Sequence, residues 1–268
     1  SVLAPGAATA AAGAATTATA AASPLKLPSF GVGAWAWGDS LFWKYEKKED
    51  AALRDVFDYV VENGVTLFDT AEVYGLGRSE TLLGQFAASN PKAANIQIAT
   101  KFAALPWRTK PSDVLEAAKK STDRLGRPID LYQIHFPNAY ANEEYWDGLA
   151  MAVDSGLVKA AGVSNYGKDA VRACKARLAS RGVPLVSNQI QLSLLYDYPL
   201  KNGLIDECKA QGVQVLAYSP LGLGLLTGKY TAESLPTGPR KSIAEKALAD
   251  PAFGPLLDTM REVGRGSA

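Results

Sequence analysis

From Phe30 onward the chain repeats one pattern of polarity: a short apolar, β-branched run, a polar turn, then an amphipathic stretch closed by glycine. Runs with strand character fall at residues 30–35, 65–68, 96–100, 131–134, 158–163, 185–190 and 213–218. The stretches between them carry the helical period. Residues 49–63 place Leu53, Val56, Phe57, Val60 and Val61 at spacings of three and four, and stop at Gly64. Ser79 is a candidate N-cap for a helix holding Leu82, Leu83 and Phe86. Later helical stretches close at Gly126, Gly156, Gly182 and Gly212, and a last one begins near Pro255.

Strands that alternate with helices at this spacing pair in parallel through right-handed crossovers. Seven such units predict an α/β fold of the closed (β/α)8 barrel type over an open, doubly wound sheet. The open sheet would also need a Gly-rich phosphate turn after its first strand. Gly31-Val32-Gly33 is followed by Ala34-Trp35, without a third glycine at the required spacing. The stretch from Gly222 to Lys229 is a near miss for a phosphate-binding P-loop: Leu223 replaces its first glycine and Tyr230 its metal-binding hydroxyl. That reading is rejected.

Composition narrows the picture. A chain of 268 residues suits one barrel domain, which takes about 250 residues. The formal net charge is +1, from 28 basic and 27 acidic residues, which gives no electrostatic reason to expect nucleic acid or a membrane surface as partner. Cys174 and Cys208 are too few for a disulfide framework and read as reduced thiols in helices, so a reducing compartment follows. One histidine and two separated cysteines cannot supply a typical transition-metal site, so no metal is expected. Residues 1–28 differ from the rest: Ala, Thr, Ser, Gly and Pro dominate, Lys26 is the only charge, and the first carboxylate is Asp39. Such a segment is too poor in apolar surface to order itself and too weakly apolar to span a membrane. Its lack of acid and wealth of hydroxyls match an organelle transit segment without the usual arginines; the bland alternative is a flexible tail. The expected organisation is a disordered leader over 1–28 and a barrel domain over 29–268.

Ionisable residues gather at one end of the predicted strands. Asp69 ends the second, Lys101 the third and His135 the fourth. Alternation along a strand puts Val65, Leu67 and Asp69 on one face, Gln97, Ala99 and Lys101 on another, and Leu131, Gln133 and His135 on a third. If those faces point inward, an acid, an amine and an imidazole converge at the C-terminal mouth, where barrel active sites are built. One charged strand end is ordinarily a solvated rim residue, and a lone histidine a structural one. Three consecutive strands of matching parity weigh against that.

Several longer motifs run in order: FDTAEVYG, GRSETLLG, ATKF, DLYQIH, GVSNYG, NQIQLSLLY and YSPLGLGLLTGKY. Together they resemble the aldo-keto reductases over about residues 30–240, and AWAWG, ATKFAALPWR and LPTGPR resemble the chloroplast branch from plants and algae. The resemblance implies NADPH-dependent reduction of a small-molecule aldehyde or ketone in a chloroplast, in the stroma or at plastoglobules, with a cytoplasmic setting as the alternative. It assigns Tyr74 as proton donor, Lys101 as the ammonium that lowers the phenol's pKa, Asp69 as the partner of Lys101, and His135 as the group that orients the carbonyl. The same resemblance implies NADP contacts from Gly33 and Trp35 after the first strand. Ser164, Asn165 and Gln189 would hold the nicotinamide amide, Tyr218 would stack on its ring, and Ser219, Leu221 and Gly224 would wrap the pyrophosphate. Taken alone, Ser164-Asn165 also reads as a helix cap and turn. Trp35, Trp37 and Trp107 either line the substrate pocket or pack the loops together.

Two expectations depart from the family pattern. The eighth strand and helix, whose Lys, Arg and Asn residues would grip the 2′-phosphate of NADPH, have no counterpart in residues 255–268, so the barrel is expected to stop after its seventh unit. The hairpin that plugs the barrel floor is barely represented before Phe30. A non-catalytic NADP-binding or interaction protein of the same fold therefore stands as the alternative reading. Pyridoxal leads the candidate substrates by resemblance, and the oligomeric state is not readable.

Overall fold

A computed structural model describes residues 25–266. Its centre is a sheet of seven strands in sequential order, every neighbouring pair parallel. The strands are β1 (Val32–Gly33), β2 (Leu67–Asp69), β3 (Gln97–Phe102), β4 (Ile129–Ile134), β5 (Val158–Ser164), β6 (Leu185–Gln191) and β7 (Gln214–Tyr218). Asp69 on β2 meets Gln189 on β6 across the interior at 2.7 Å. Three strands of sheet lie between them, so the sheet curls back on itself as a nearly closed barrel of the TIM type. Every strand expected from the apolar runs is present. The first is shorter than its run: β1 has just two positions in register with β2.

The major helices follow the predicted period: α1 (Asp50–Glu62), α2 (Arg78–Ser89), α3 (Pro111–Leu125), α4 (Asn142–Asp154) and α5 (Lys168–Ala179). After β6 come α6 (Tyr198–Lys201) and α7 (Leu204–Ala210), and after β7 α8 (Arg240–Ala249) and α9 (Phe253–Gly266). The last helix begins two residues before Pro255, and α8 precedes it unforeseen, since its apolar positions do not form a stripe. Gly126 takes φ 67° as the C-cap of α3, the left-handed conformation expected of a closing glycine. Ser79 is not a cap. It lies inside the first turn of α2, fully buried, accepting from the Thr70 hydroxyl at 2.8 Å and donating to the Ala34 carbonyl at 2.9 Å. It fastens α2 to the ends of β1 and β2 instead.

Strand alternation divides the interior in two. Outward side chains such as Phe68, Ile98, Tyr132 and Val163 pack with Phe57, Leu83, Val114 and Leu149 from the helices. Inward ones form a smaller cluster of Leu67, Ala99, Leu131, Ala160 and Val186, closed from below by Leu27. Residues 25–28, grouped by composition with the leader, run with the barrel. Leu27 is 4% exposed. Its carbonyl accepts from Gln214 on β7 at 3.5 Å, and the Lys26 carbonyl from Gln97 on β3 at 3.1 Å. Among the described residues this short apolar segment closes the barrel floor. The transit reading of the leader falls mostly on residues 1–24, outside the described region. Both cysteines are buried and free, and among the described residues no helix is long and apolar enough to cross a membrane.

Candidate active site

The three strand-end residues face one another at the C-terminal mouth. Lys101 on β3 is fully buried, and its ammonium donates to Asp69 Oδ2 at 2.7 Å and to the Thr70 carbonyl at 2.7 Å. The other carboxylate oxygen, Oδ1, accepts from Gln189 Nε2 at 2.7 Å and from Gln133 Nε2 at 3.5 Å. Tyr74 opens the short turn Tyr74–Gly77 that leads into α2, and the Lys101 ammonium lies 5.1 Å from its ring centre. His135 follows β4 directly, hydrogen-bonded through its backbone N–H to the Phe102 carbonyl at 3.0 Å. Its ring stands edge-on to Tyr74 with centres 5.7 Å apart. Acid, amine, phenol and imidazole thus share one end of the sheet.

Their electrostatics follow from burial and from each other. Burial is the largest influence on Lys101 and disfavours its charge, but Asp69, Tyr74 and their hydrogen bonds outweigh it and hold the ammonium above the usual lysine range. Burial pushes His135 down to about 3, and repulsion from Lys101 adds to this, so the imidazole is neutral at physiological pH. Tyr74 is raised above the ordinary phenol value. Burial raises it most, the Lys101 charge and hydrogen bond pull it down, and Asp69 pushes it up again. Lys101 thus lowers the phenol's pKa as expected, but desolvation outweighs that pull.

The expected cofactor residues line the same mouth. The Ser164 hydroxyl donates to the Gln189 carbonyl at 2.9 Å and accepts from the Asn165 amide at 3.1 Å. Asn165 also donates to the His135 carbonyl at 3.0 Å and accepts from the Tyr218 hydroxyl at 3.0 Å. The helix-cap alternative for this pair falls, because α5 starts at Lys168 with Gly167 as its cap. Asn165 and Ser219 have φ of 63° and 51°, left-handed conformations uncommon outside glycine and characteristic of functional turns. The loop after Ser219 continues this way through Gly222, Leu223 and Gly224. Gly33 faces open space: a Cβ there would meet nothing within 4 Å. Gly224 takes φ 94°, which favours glycine, and the Lys229 ammonium lies nearby, 3.6 Å from where a Cβ would stand. Successive turns, small residues and a cation suit an extended, anionic dinucleotide.

The tryptophans separate. Trp35 stacks on Phe42 at 4.8 Å and lies 6.0 Å from Tyr74, while Phe136 stacks on His135 at 4.8 Å. Trp35 and His135 flank the phenol, backed by Phe42 and Phe136. Trp37 is no pocket residue: it is 5% exposed and packs on Phe68 and Phe86 behind the sheet. Trp107 is 75% exposed and makes no ring contact with the site. Sequence reading did not single out Arg240. Arg240 lies 4.5 Å over the Trp43 ring, joining the loop after β1 to the segment after β7. No local signal marks that pairing, since only the fold brings the two loops together.

A parallel α/β barrel with an acid, an amine, a phenol and an imidazole at its C-terminal mouth has the architecture of a barrel enzyme. The Aldo/keto reductase family model matches residues 29–266, and the chain belongs to that family. It is 41% identical to the chloroplastic pyridoxal reductase of Arabidopsis thaliana, over 90% of this chain and 69% of that protein. Among solved structures it is similar to the thermostable aldo-keto reductase Tm1743 in complex with epalrestat. There the TM-score is 0.67 and the identity 27%, over 77% of this chain and 72% of the other. A Klebsiella pneumoniae aldo/keto reductase in complex with NADP and acetate has the same fold, with a TM-score of 0.63 at 22% identity, over 74% and 66% of the two chains.

Proposed function

We propose that this chain reduces an aldehyde or ketone to an alcohol with NADPH. The observation that carries this is the buried Lys101 ammonium, held between the Asp69 carboxylate and the Tyr74 phenol beside a neutral imidazole. The nicotinamide, when bound, supplies the hydride. The protein's own groups handle the oxygen. Tyr74 keeps its proton at neutral pH and can hand it to the developing alkoxide. The phenolate left behind is stabilised by the adjacent ammonium, a preorganised charge in a site of low dielectric. Asp69 keeps that ammonium charged and aimed. Neutral His135 has one N–H to offer the carbonyl oxygen without competing as an acid.

Ser164, Asn165 and Gln189 suit the carboxamide of the nicotinamide, and Tyr218 its ring. Ser219, Leu221 and Gly224 suit the pyrophosphate, with Gly33 and Trp35 completing the wall. The Arabidopsis relative acts on pyridoxal by name. The ring walls of Trp35, Phe42 and Phe136 suit a flat aromatic aldehyde of that kind. The chloroplastic relative also supports a plastid location. Following NADPH absorbance with a panel of aldehydes that includes pyridoxal tests the whole reading. Cofactor binding without turnover of any aldehyde would overturn it in favour of a binding protein.

A further inference from the structure

Gln133 occupies an inward position of β4, between Leu131 and the site, in register with Lys101 on β3 and Gly162 on β5. It is fully buried. Only its NH2 can face a carboxylate, and Nε2 lies 3.5 Å from Asp69 Oδ1, the oxygen that Gln189 also reaches. The two amides come from different strands and converge on one oxygen, while the ammonium takes the other. The far end of Gln133 gains nothing comparable: Oε1 meets no hydrogen-bond donor among the described residues, and neither does the buried hydroxyl of Ser187 beside it. Gly162 makes room for both, because a Cβ there would come within 2.5 Å of Ser187 Oγ and 3.0 Å of Gln133 Cγ. Beneath lies an apolar layer of Leu131, Ala99 and Ala160. Packing alone would favour an apolar side chain at position 133, since a buried polar atom without a partner is destabilising. The amide is therefore explained by what it does to Asp69.

We propose that Gln133 is a positioning residue of the reductase site. With Gln189 it commits Oδ1 of Asp69, which turns Oδ2 onto Lys101 and keeps the ammonium at the Tyr74 phenol. Gln133 itself touches neither substrate nor cofactor in this scheme. The inference rests on the proposed reductase reading.

Two variants of the full chain test it. Gln133→Met keeps the length of the side chain and removes the donor. Its kcat should fall roughly tenfold, the consequence of losing a hydrogen bond to a charged group. KM and fluorescence-measured Kd for NADPH should stay unchanged, and the melting temperature unchanged or higher. Gln133→Glu can donate to Asp69 only when protonated, so its kcat relative to wild type should recover as pH falls. The titratable groups around this position are Asp69, Lys101, Tyr74, His135 and Tyr218. They are common to both proteins, so the ratio isolates residue 133. A Met variant with wild-type kcat overturns the inference. So does a parallel loss of stability and activity in both variants, with no recovery of the Glu variant at low pH. An active wild type beside an unaffected Met variant removes this inference alone. A wild type that binds NADPH and reduces no aldehyde removes the reductase reading with it.

Discussion

At Tyr74 two opposing influences act on one proton: burial holds it on the oxygen, and the Lys101 charge draws it off. Replacing Tyr74 by Phe leaves the ring contacts with Trp35 and His135 in place and removes the hydroxyl that carries the proton. General acids contribute about 10²–10⁴ in rate, so Tyr74→Phe should lose at least about a hundredfold in kcat while NADPH binding is retained. Steady-state kinetics beside fluorescence titration checks both halves. His135 makes a different prediction, about stability. Its folded pKa lies near 3 against an ordinary value of 6.5, so between these limits the unfolded chain binds the extra proton. The contribution is fully present above pH 6.5 and is lost as pH falls toward 3, at about 1.4 kcal/mol per pH unit through the window. Urea titrations across that range should show the slope in the native protein and its loss in His135→Gln. Asp69, Lys101 and His135 were legible because they end strands at matching parity, whereas Tyr74 was assigned only through the resemblance carried by FDTAEVYG. The direction of the Tyr74 shift was not legible, because desolvation depends on how completely the fold covers the phenol.

The elements behind the site are tied by a buried carboxylate. Glu80 on α2 is fully buried, accepts from the Thr100 hydroxyl on β3 at 2.5 Å, and is paired with Arg124 on α3 at 2.6 Å. Thr100 is the outward neighbour of Lys101, and α2 continues from the turn that carries Tyr74. One carboxylate thus sets the strand of the amine against the turn of the phenol. Breaking a buried pair from one side strands the other charge, at about 3–5 kcal/mol. Arg124→Met should therefore lower the unfolding free energy by that order in denaturant titration, well beyond an ordinary surface change. The periodic helices and most strand positions were readable from apolar spacing. Ser79 was misread as a cap because a serine three residues before an apolar pair fits both roles. Only the approach of Ala34 and Thr70 decides between them. α8 escaped notice because its buried contacts, through Ala244, come from the loop after β7 and from α9 and leave no periodic stripe in the sequence.

At the scale of the whole molecule, the barrel floor rests on a residue that composition assigned elsewhere. Leu27 fills the base of the inner cluster beneath Leu67, Leu131 and Val186. Large-to-small changes at such positions cost about 2–5 kcal/mol, so Leu27→Ala should lower the melting temperature measurably while leaving NADPH binding at the opposite end intact. Loss of cofactor binding in step with stability would mean that the two ends of the barrel are coupled.

By itself the sequence determined the order of the strands, the parallel barrel and the strand ends at which acid, amine and imidazole stand, because periodicity and parity are local properties of the chain. Tertiary structure alone decided which tryptophan reaches the site, that Gln133 and Gln189 share one oxygen of Asp69, and that the phenol is held above its ordinary pKa. Those depend on curvature, which brings β2 opposite β6, and on burial, which only the closed packing of the sheet against its helices creates.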